Sequence, residues 1–268
     1  MTAVVDRPAA PARPVKPRTR LSTYVAIVVV VAITIWAGYG IEFDVSPLWT
    51  DWGRGWFIIQ QFLDPNWSFI GRTVAPFLDT LAIAVIATAV GCAIGLGMAM
   101  LASRVTMSNA IVYRAAKIFL SVVRSLPDVG YGLLFVALVG VGTLAGVLAL
   151  IMFNIGIIAK LTSETIDAVD RGPLEAAAAS GARPAQTAQY AVVPQILPNY
   201  LSYSLYVFEL NIRASVVLGI VGAGGIGSTL SVEFARFNYS NVSAIIVLLF
   251  IVVFAIDLLS QSVRRRLM

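Results

Sequence analysis

The chain has 268 residues, of which 59% are hydrophobic and only 12% are charged, and its net charge is +5. Soluble domains usually carry about 25% charged residues, so this composition indicates an integral membrane protein. The lack of histidine excludes Ser-His-Asp hydrolases and histidine zinc sites, and the single cysteine, Cys92, excludes disulfides and cysteine metal sites within one chain.

The N-terminal part predicts a tail, a membrane helix and an interfacial segment. Residues 1–20 are rich in Pro, Ala and basic residues, which predicts a disordered cytoplasmic tail that sets orientation or, alternatively, binds anionic lipid. Residues 21–40 are uncharged and long enough for a first transmembrane helix. The spacing of Trp49, Trp52 and Trp56 predicts an amphipathic helix at the outer interface, so residues 21–73 are assigned to this first helix and its periplasmic segment. Contact with an external partner is the alternative role for these tryptophans.

Five further membrane helices follow. Residues 80–103 form an uncharged run in which Gly91 and Gly95 predict close packing against another helix. Residues 118–159 are about twice as long as one span requires, so they must turn, and Gly140–Gly142 is the best position for the turn. Residues 196–218 and 237–256 predict the fifth and sixth helices.

The distribution of basic residues predicts the orientation of the chain. Of the 19 Lys and Arg residues, fourteen lie in segments that this topology places inside, three lie outside and two lie within helices. Cytoplasmic segments carry such an excess of Lys and Arg. Both termini, a loop at residues 164–194 and a basic C-terminal tail at residues 263–268 are therefore expected in the cytoplasm.

Charged residues within the predicted helices are candidates for function. Arg124 and Asp128 are four residues apart, as are Glu209 and Arg213, which places each pair on one helix face. Each pair either forms an ion pair that admits its charges to the membrane or lines a translocation path, where Arg213 would suit phosphate-like oxygens. Asn154 is a weaker path candidate, because such residues more often join two helices.

Two sequence motifs that bind nucleotides in other proteins bear on the function. One occurs here in an unsuitable context, and the other is missing from the chain. Gly222, Gly224 and Gly227 match GxGxxG, but they follow a membrane helix on the predicted outer side, which favours flexible backbone at the mouth of a path over nucleotide binding. The chain contains no GxxxxGK[ST] motif, so an ATP-driven process would need a separate ATPase polypeptide.

The cytoplasmic loop carries the most specific motif. Glu175-Ala176-Ala177 is followed by Gly181 and, thirteen residues later, by Pro194. Pro173 is expected to open a short helix, Gly181 to end it and Pro184 to open a second one. This spacing resembles the EAA loop of ABC importer permeases, although Ala191 and Val193 are smaller than the Ile and Leu that the family pattern has at these positions.

Residues 124–128, 206–213 and 217–227 extend the resemblance to the phosphonate-type permeases of bacterial ABC importers, over residues 74–262. The resemblance implies an all-α type I permease fold of six transmembrane helices with short cytoplasmic coupling helices, in the bacterial inner membrane. It implies a homodimer, two ATPase subunits that hold ATP and Mg, and an extracytoplasmic binding protein that delivers phosphonate, phosphite or phosphate. The chain itself would be non-catalytic, without cofactor or metal.

The resemblance also implies roles for individual residues. The expected contacts to the ATPase are Glu175, Ala176, Ala177, Gly181 and Arg183. The candidates for the translocation path are Arg124, Asp128, Asn154, Glu209, Arg213, Gly222 and Gly224. The alternative function is an ion-coupled secondary transporter of a small anion, which would require an inverted repeat and midplane carboxylates. No such repeat is evident in the sequence.

Overall fold

The computed structural model describes residues 21–267, in which every regular element is helical and no β-strand occurs. The helices are α1 Leu21–Gly40, α2 Pro47–Thr50, α3 Trp52–Leu63, α4 Ile70–Leu101, α5 Ala110–Ser125, α6 Asp128–Val139, α7 Thr143–Asp167, α8 Arg171–Ala179, α9 Pro184–Thr187, α10 Val193–Ile220, α11 Ile226–Ala235 and α12 Tyr239–Leu267. The predicted all-α class is confirmed. The predicted tail at residues 1–20 lies outside the described residues.

The chain divides into two compact units, the first ending at Trp56 and the second running from Phe57 to Met268. In the first unit, α1 has the bounds predicted for the first membrane helix. The prediction of one helix for all three tryptophans is wrong, because Trp49 lies in the short α2, which ends before Trp52. Trp52 and Trp56 do share α3, and their rings stack with centroids 6.5 Å apart.

The second unit is built around the contact between α4 and α7. A Cβ atom added at Gly91 would lie 2.6 Å from Cβ of Asn154, and one added at Gly95 would lie 2.8 Å from Cγ2 of Ile158. Such small residues let two helix backbones approach closely in lipid, where no hydrophobic force draws helices together. The close packing predicted from Gly91 and Gly95 is therefore confirmed. Helices α5, α6 and α10 pack against this pair.

Fewer than the six predicted helices are long and apolar enough to cross a membrane. Within residues 21–267, four helices are long and apolar enough to cross a membrane, and they lie in α1, α4, α7 and α12. The number becomes five if α5 and α6 together form one broken span. Helix α10 is 28 residues long but carries Glu209, Asn211 and Arg213, and it is not among them. Six spans therefore stay a prediction.

The predicted third helix is broken. Helix α5 ends at Ser125, and α6 begins at Asp128 after a bend of 89°. The break falls at Leu126 and Pro127, because the residue before a proline is driven out of the helical conformation and Leu126 is extended with ψ of 133°. The next predicted turn is confirmed, since α6 ends at Val139, just before Gly140, and α7 begins after Gly142. Both glycines have positive φ.

Other boundaries differ from the sequence-based ones. Helix α4 begins at Ile70, ten residues before the predicted start, and α12 continues past residue 256 to Leu267. An additional helix, α11, follows the glycine-rich segment. In each case charged residues that suggested solvent, such as Arg72 and Arg264, lie within a continuous helix.

The α4–α7 contact makes a direct prediction for Gly91→Ala. We expect this variant to lower the free energy of unfolding by about 1–3 kcal/mol, because the new methyl group would overlap Asn154. Thermal unfolding of the purified protein in detergent measures the effect. Gly97→Ala is the matched control, because Gly97 lies on the same helix with no atom within 4 Å of an added Cβ. Equal loss of stability in both variants would contradict the close-packing interpretation.

Candidate functional site

The residues of the EAA loop form a short helix with well-defined ends. Asp170 precedes α8 and its carboxylate accepts a hydrogen bond from the Gly172 amide at 3.1 Å, as an N-cap residue does. The helix therefore begins at Arg171, two residues before the predicted start at Pro173. The predicted end is confirmed, since Gly181 has a φ of +72° and the Ala182 amide donates to the Ala177 carbonyl at 3.0 Å.

The second part of the loop also follows the prediction. Helix α9 begins at Pro184, and the Arg183 amide donates to Oε1 of Gln186 at 2.8 Å, which caps the helix start. A π-helical turn at Ala188–Val192 then leads into α10. The candidate coupling residues Glu175, Ala176, Gly181 and Arg183 are exposed, and Ala177 is half-buried.

A glutamine from α10 holds the start of α8 in place. The Gln195 side chain accepts from the Asp170 amide at 3.0 Å and donates to the Asp170 carbonyl at 3.3 Å and the Ala191 carbonyl at 2.7 Å. Leu174 of α8 packs against the buried cluster that contains Val192. The loop is thus joined to the membrane helices by a polar clamp and an apolar anchor. Sequence reasoning missed Gln195, whose position beside Pro194 was its only signal.

The loop between α4 and α5 lies beside α8. Ser103 is fully buried, and its hydroxyl donates to Oδ1 of Asp167 at 2.5 Å. Between the two loops is a cavity of about 410 Å³, with Arg104, Asp167, Arg171 and Glu175 as its charged lining residues. The EAA glutamate therefore lines a cavity in which charged and apolar side chains alternate, rather than lying on a flat surface.

Glu209 of α10 is a nearly buried charge that has two arginine partners. Its side chain is only 7% exposed, and its two oxygens accept from Arg213 on the same helix and from Arg264 of α12, whose Nη2 lies 3.2 Å from Oε2. The predicted Glu209–Arg213 pair is confirmed. Arg264, expected in a C-terminal tail, is a second partner because α12 continues far enough to reach α10. The Arg213 side chain remains 54% exposed in a cleft of about 480 Å³ between α10 and α12.

The predicted Arg124–Asp128 pair is wrong. The bend at Leu126 and Pro127 puts the two residues on different helices, so the spacing of four no longer defines a common face. The Asp128 carboxylate instead accepts from the Val129 amide at 2.9 Å. Arg124 is exposed and forms no ion pair with any described residue.

The remaining path candidates are in packed positions. Asn154 is fully buried, and its amide donates to the Ala87 carbonyl at 2.9 Å, so it joins α7 to α4. Gly222 and Gly224 have positive φ, and the Gly222 carbonyl accepts from the Gly142 amide at 2.9 Å. The glycine-rich segment is held by hydrogen bonds in this structure.

A polar cluster at the opposite end of the bundle was not predicted. Glu233 of α11 is almost buried and accepts from the amides of Asn238 at 2.9 Å and Asn241 at 2.7 Å. The hydrogen bond from Asn241 is the main cause that lowers the pKa of this carboxyl. Asn66, before α4, donates to Asn241 at 2.9 Å. The cluster ties α11, α12 and the start of α4 together.

A helical bundle with an exposed, rigidly capped EAA loop agrees with the comparisons. Residues 91–268 match the family described as the inner membrane component of binding-protein-dependent transport systems. The chain belongs to this family.

Similar proteins include two bacterial permeases. The chain is 38% identical over 205 residues to the phosphite transport system permease protein PtxC of Stutzerimonas stutzeri, covering 76% of this chain and 74% of that protein. It is 36% identical over 211 residues to the phosphate-import permease protein PhnE of Mycolicibacterium smegmatis, covering 78% of this chain but 40% of that protein.

The fold resembles that of solved ABC transporters. An inward-facing crystal structure of the MetNI methionine ABC transporter matches 75% of this chain and 97% of its own chain, with a TM-score of 0.65 and 25% identity. The predicted ABC importer permease fold is confirmed, and the chain is a multi-pass component of a transport system.

The exposed EAA loop predicts the effect of Glu175→Lys. We expect this variant to lose association with its ATPase subunit. The substitution reverses the charge of an exposed side chain on α8, while the hydrogen bonds of Gln195 keep α8 in place. Co-purification of the ATPase with the folded permease measures the effect. Asp64→Lys, an identical change at an exposed position near the other end of the bundle, should leave association intact. Normal ATPase association of the Glu175 variant would remove this residue from the contact.

Proposed function

We propose that the chain is the permease subunit of an ATP-driven importer for phosphonate, phosphite or phosphate. Membership of the family supports the role in transport. The relatives named for phosphite and phosphate transport support a phosphorus oxyanion as the substrate class. The observation that carries the proposal is the EAA loop, exposed and capped at both ends on a bundle of membrane helices. A substrate-binding protein outside the membrane would deliver the anion.

The proposal assigns ATP hydrolysis to a separate polypeptide. The chain has no phosphate-binding GxxxxGK[ST] loop, so two ATPase subunits would bind ATP and Mg, and this chain would contribute no catalytic residue. Two copies of the chain would form the path between them. The excess of Lys and Arg on the side of the EAA loop supports cytoplasmic termini.

The contacts around α8 suggest how ATPase movement reaches the membrane. A displacement of α8 acts on α10 through the two hydrogen bonds between Gln195 and Asp170, and on the buried cluster through Leu174. Packed interfaces tend to shift between discrete arrangements instead of deforming continuously. Closure of the ATPases would therefore move α10, with Glu209 and Arg213, relative to its neighbours.

An ion-coupled transporter has less support than an ATP-driven one. That class would leave the EAA loop without a partner, and the family match is to binding-protein-dependent systems. In addition, the buried carboxylate of Glu209 already has two arginine partners. A carboxylate that carries coupling ions would need a free position.

ATP hydrolysis by the reconstituted complex tests the proposal. The complex contains this chain, its ATPase and its binding protein, and it is titrated separately with phosphate, phosphite and an alkylphosphonate. We expect one of these anions to stimulate hydrolysis, because loaded binding protein promotes closure of the ATPases. Stimulation by none of them would overturn the substrate class, and failure of any ATPase to bind would overturn the coupling role of the loop.

Because Glu209 has two arginine partners, the structure predicts how Arg213→Ala affects assembly and uptake. We expect the variant to assemble normally, because Arg264 still neutralises Glu209, but to lower substrate uptake by about tenfold through loss of one exposed charged group. Uptake into proteoliposomes and the yield of assembled complex are compared with those of Arg236→Ala, a similarly exposed arginine beside Glu233. Unchanged uptake would show that Arg213 is dispensable for transport.

A further inference from the structure

An unpaired arginine lies near the middle of the bundle. The stem of Arg124 packs on α7 at Gly156, where an added Cβ would lie 2.9 Å from Arg124 Cγ. Gly156 is close to the midpoint of α7, a 25-residue helix long enough to cross the membrane. Arg124 is therefore about midway along α7, which places it near half the depth of a membrane that α7 crosses.

Arg124 cannot face lipid at this depth without a large penalty. Charged side chains within the hydrocarbon region normally pair with an opposite charge or meet water. The helix break removes Asp128 as a partner, and no acidic side chain of residues 21–267 lies within ion-pair distance of Arg124. Within one copy of the chain, its exposed side chain is therefore left to meet water or a polar ligand.

Two further cations continue from Arg124 toward the EAA loop. Lys117 precedes Arg124 by two helical turns on the same face of α5, about 10 Å along the axis. Nζ of Lys117 lies 5.7 Å from the ring centre of Tyr113, and the guanidinium of Arg104 lies 5.1 Å from the same ring. Within the described chain, neither cation has an acidic side chain at ion-pair distance.

We call Arg124, Lys117 and Arg104 the basic row. Its two residues on α5, Arg124 and Lys117, lie on a different face from the buried and the apolar residues of that helix. Ala116, Leu120 and Val123 form the buried face, while Ile118 and Val122 are exposed on a different side. Arg104 also lines the cavity beside α8, so the row ends at the coupling loop. Cations and apolar residues are thus sorted onto different faces, as expected where one face meets water and another meets lipid or protein.

We propose that the basic row is the inner half of the anion pathway, along which the oxyanion leaves the centre of the membrane for the cytoplasm. Arg124 is the innermost binding position, and Lys117 and Arg104 are weaker positions on the way out. Conduction needs several sites that bind weakly enough to release, and unpaired cations at intervals of several ångströms meet that condition for phosphate-like anions. This assignment rests on the proposed function for its substrate class.

The pathway is tested in the reconstituted complex with Arg124→Gln, Lys117→Gln and Arg104→Gln. We expect Arg124→Gln to lower uptake of the transported anion by about tenfold, as for loss of one charged hydrogen bond, and Arg124→Lys to recover most of it. Arg114→Gln is the matched control, since Arg114 is an exposed arginine of α5 outside the row. Normal uptake with Arg124→Gln, or equal loss with Arg114→Gln, would overturn the proposal.

A second measurement separates the pathway from the substrate assignment. In a Cys92→Ala background, the Arg124→Cys and Lys117→Cys variants are treated with a charged, membrane-impermeant thiol reagent in the nucleotide-free complex. Labelling at both positions from the cytoplasmic side supports an aqueous row even if no phosphorus oxyanion is transported. No labelling at position 124 would overturn it. A dependence of the Lys117 and Arg104 variants on phosphatidylglycerol in the vesicles would instead assign those two positions to lipid headgroups and overturn the outer part of the pathway.

Discussion

The close crossing of α4 and α7 is the constraint on which the bundle depends. Lipid supplies no hydrophobic force between helices, so contact relies on packing and on hydrogen bonds between them. Gly91 and Gly95 let the backbones approach, and the Asn154 amide joins α7 to the Ala87 carbonyl at that point. Because α5, α6 and α10 pack on this pair, its geometry determines where their charged side chains lie.

Arg213 and Arg124 illustrate two opposite environments for a charge in a membrane helix. Arg213 shares a nearly buried carboxylate with Arg264, so its charge is compensated by protein and its free surface faces an open cleft. Arg124 has lost the partner that its sequence spacing suggested and depends on water or ligand. The charge is thus compensated by protein at Arg213, whereas the bend before Pro127 leaves Arg124 without an acidic partner in the described chain.

The EAA loop is both exposed and rigidly held. Its EAA residues face outward, whereas the backbone behind them is fixed by Asp170, Gln195 and the αL conformation of Gly181. A flexible loop would absorb movement of a partner, but a capped helix that is hydrogen-bonded to α10 transmits it. The position of Arg104 beside this loop would place the end of the anion pathway where ATPase movement is received.

Composition and hydropathy were sufficient to predict the membrane class and the all-α fold. Local sequence also predicted the ends of α1 and α8, near Gly40 and Gly181, and the turn at Gly140–Gly142. Each of these features depends on local preferences of the chain. The tertiary structure alone decided that Arg264 reaches Glu209, that Gln195 clamps Asp170 and that Arg124 is unpaired. These outcomes depend on the bend before Pro127, the full length of α12 and the approach of α8 to α10. Contacts between segments far apart in sequence leave no periodic pattern, so spacing alone predicted the wrong partner for Arg124 and missed the second partner of Glu209.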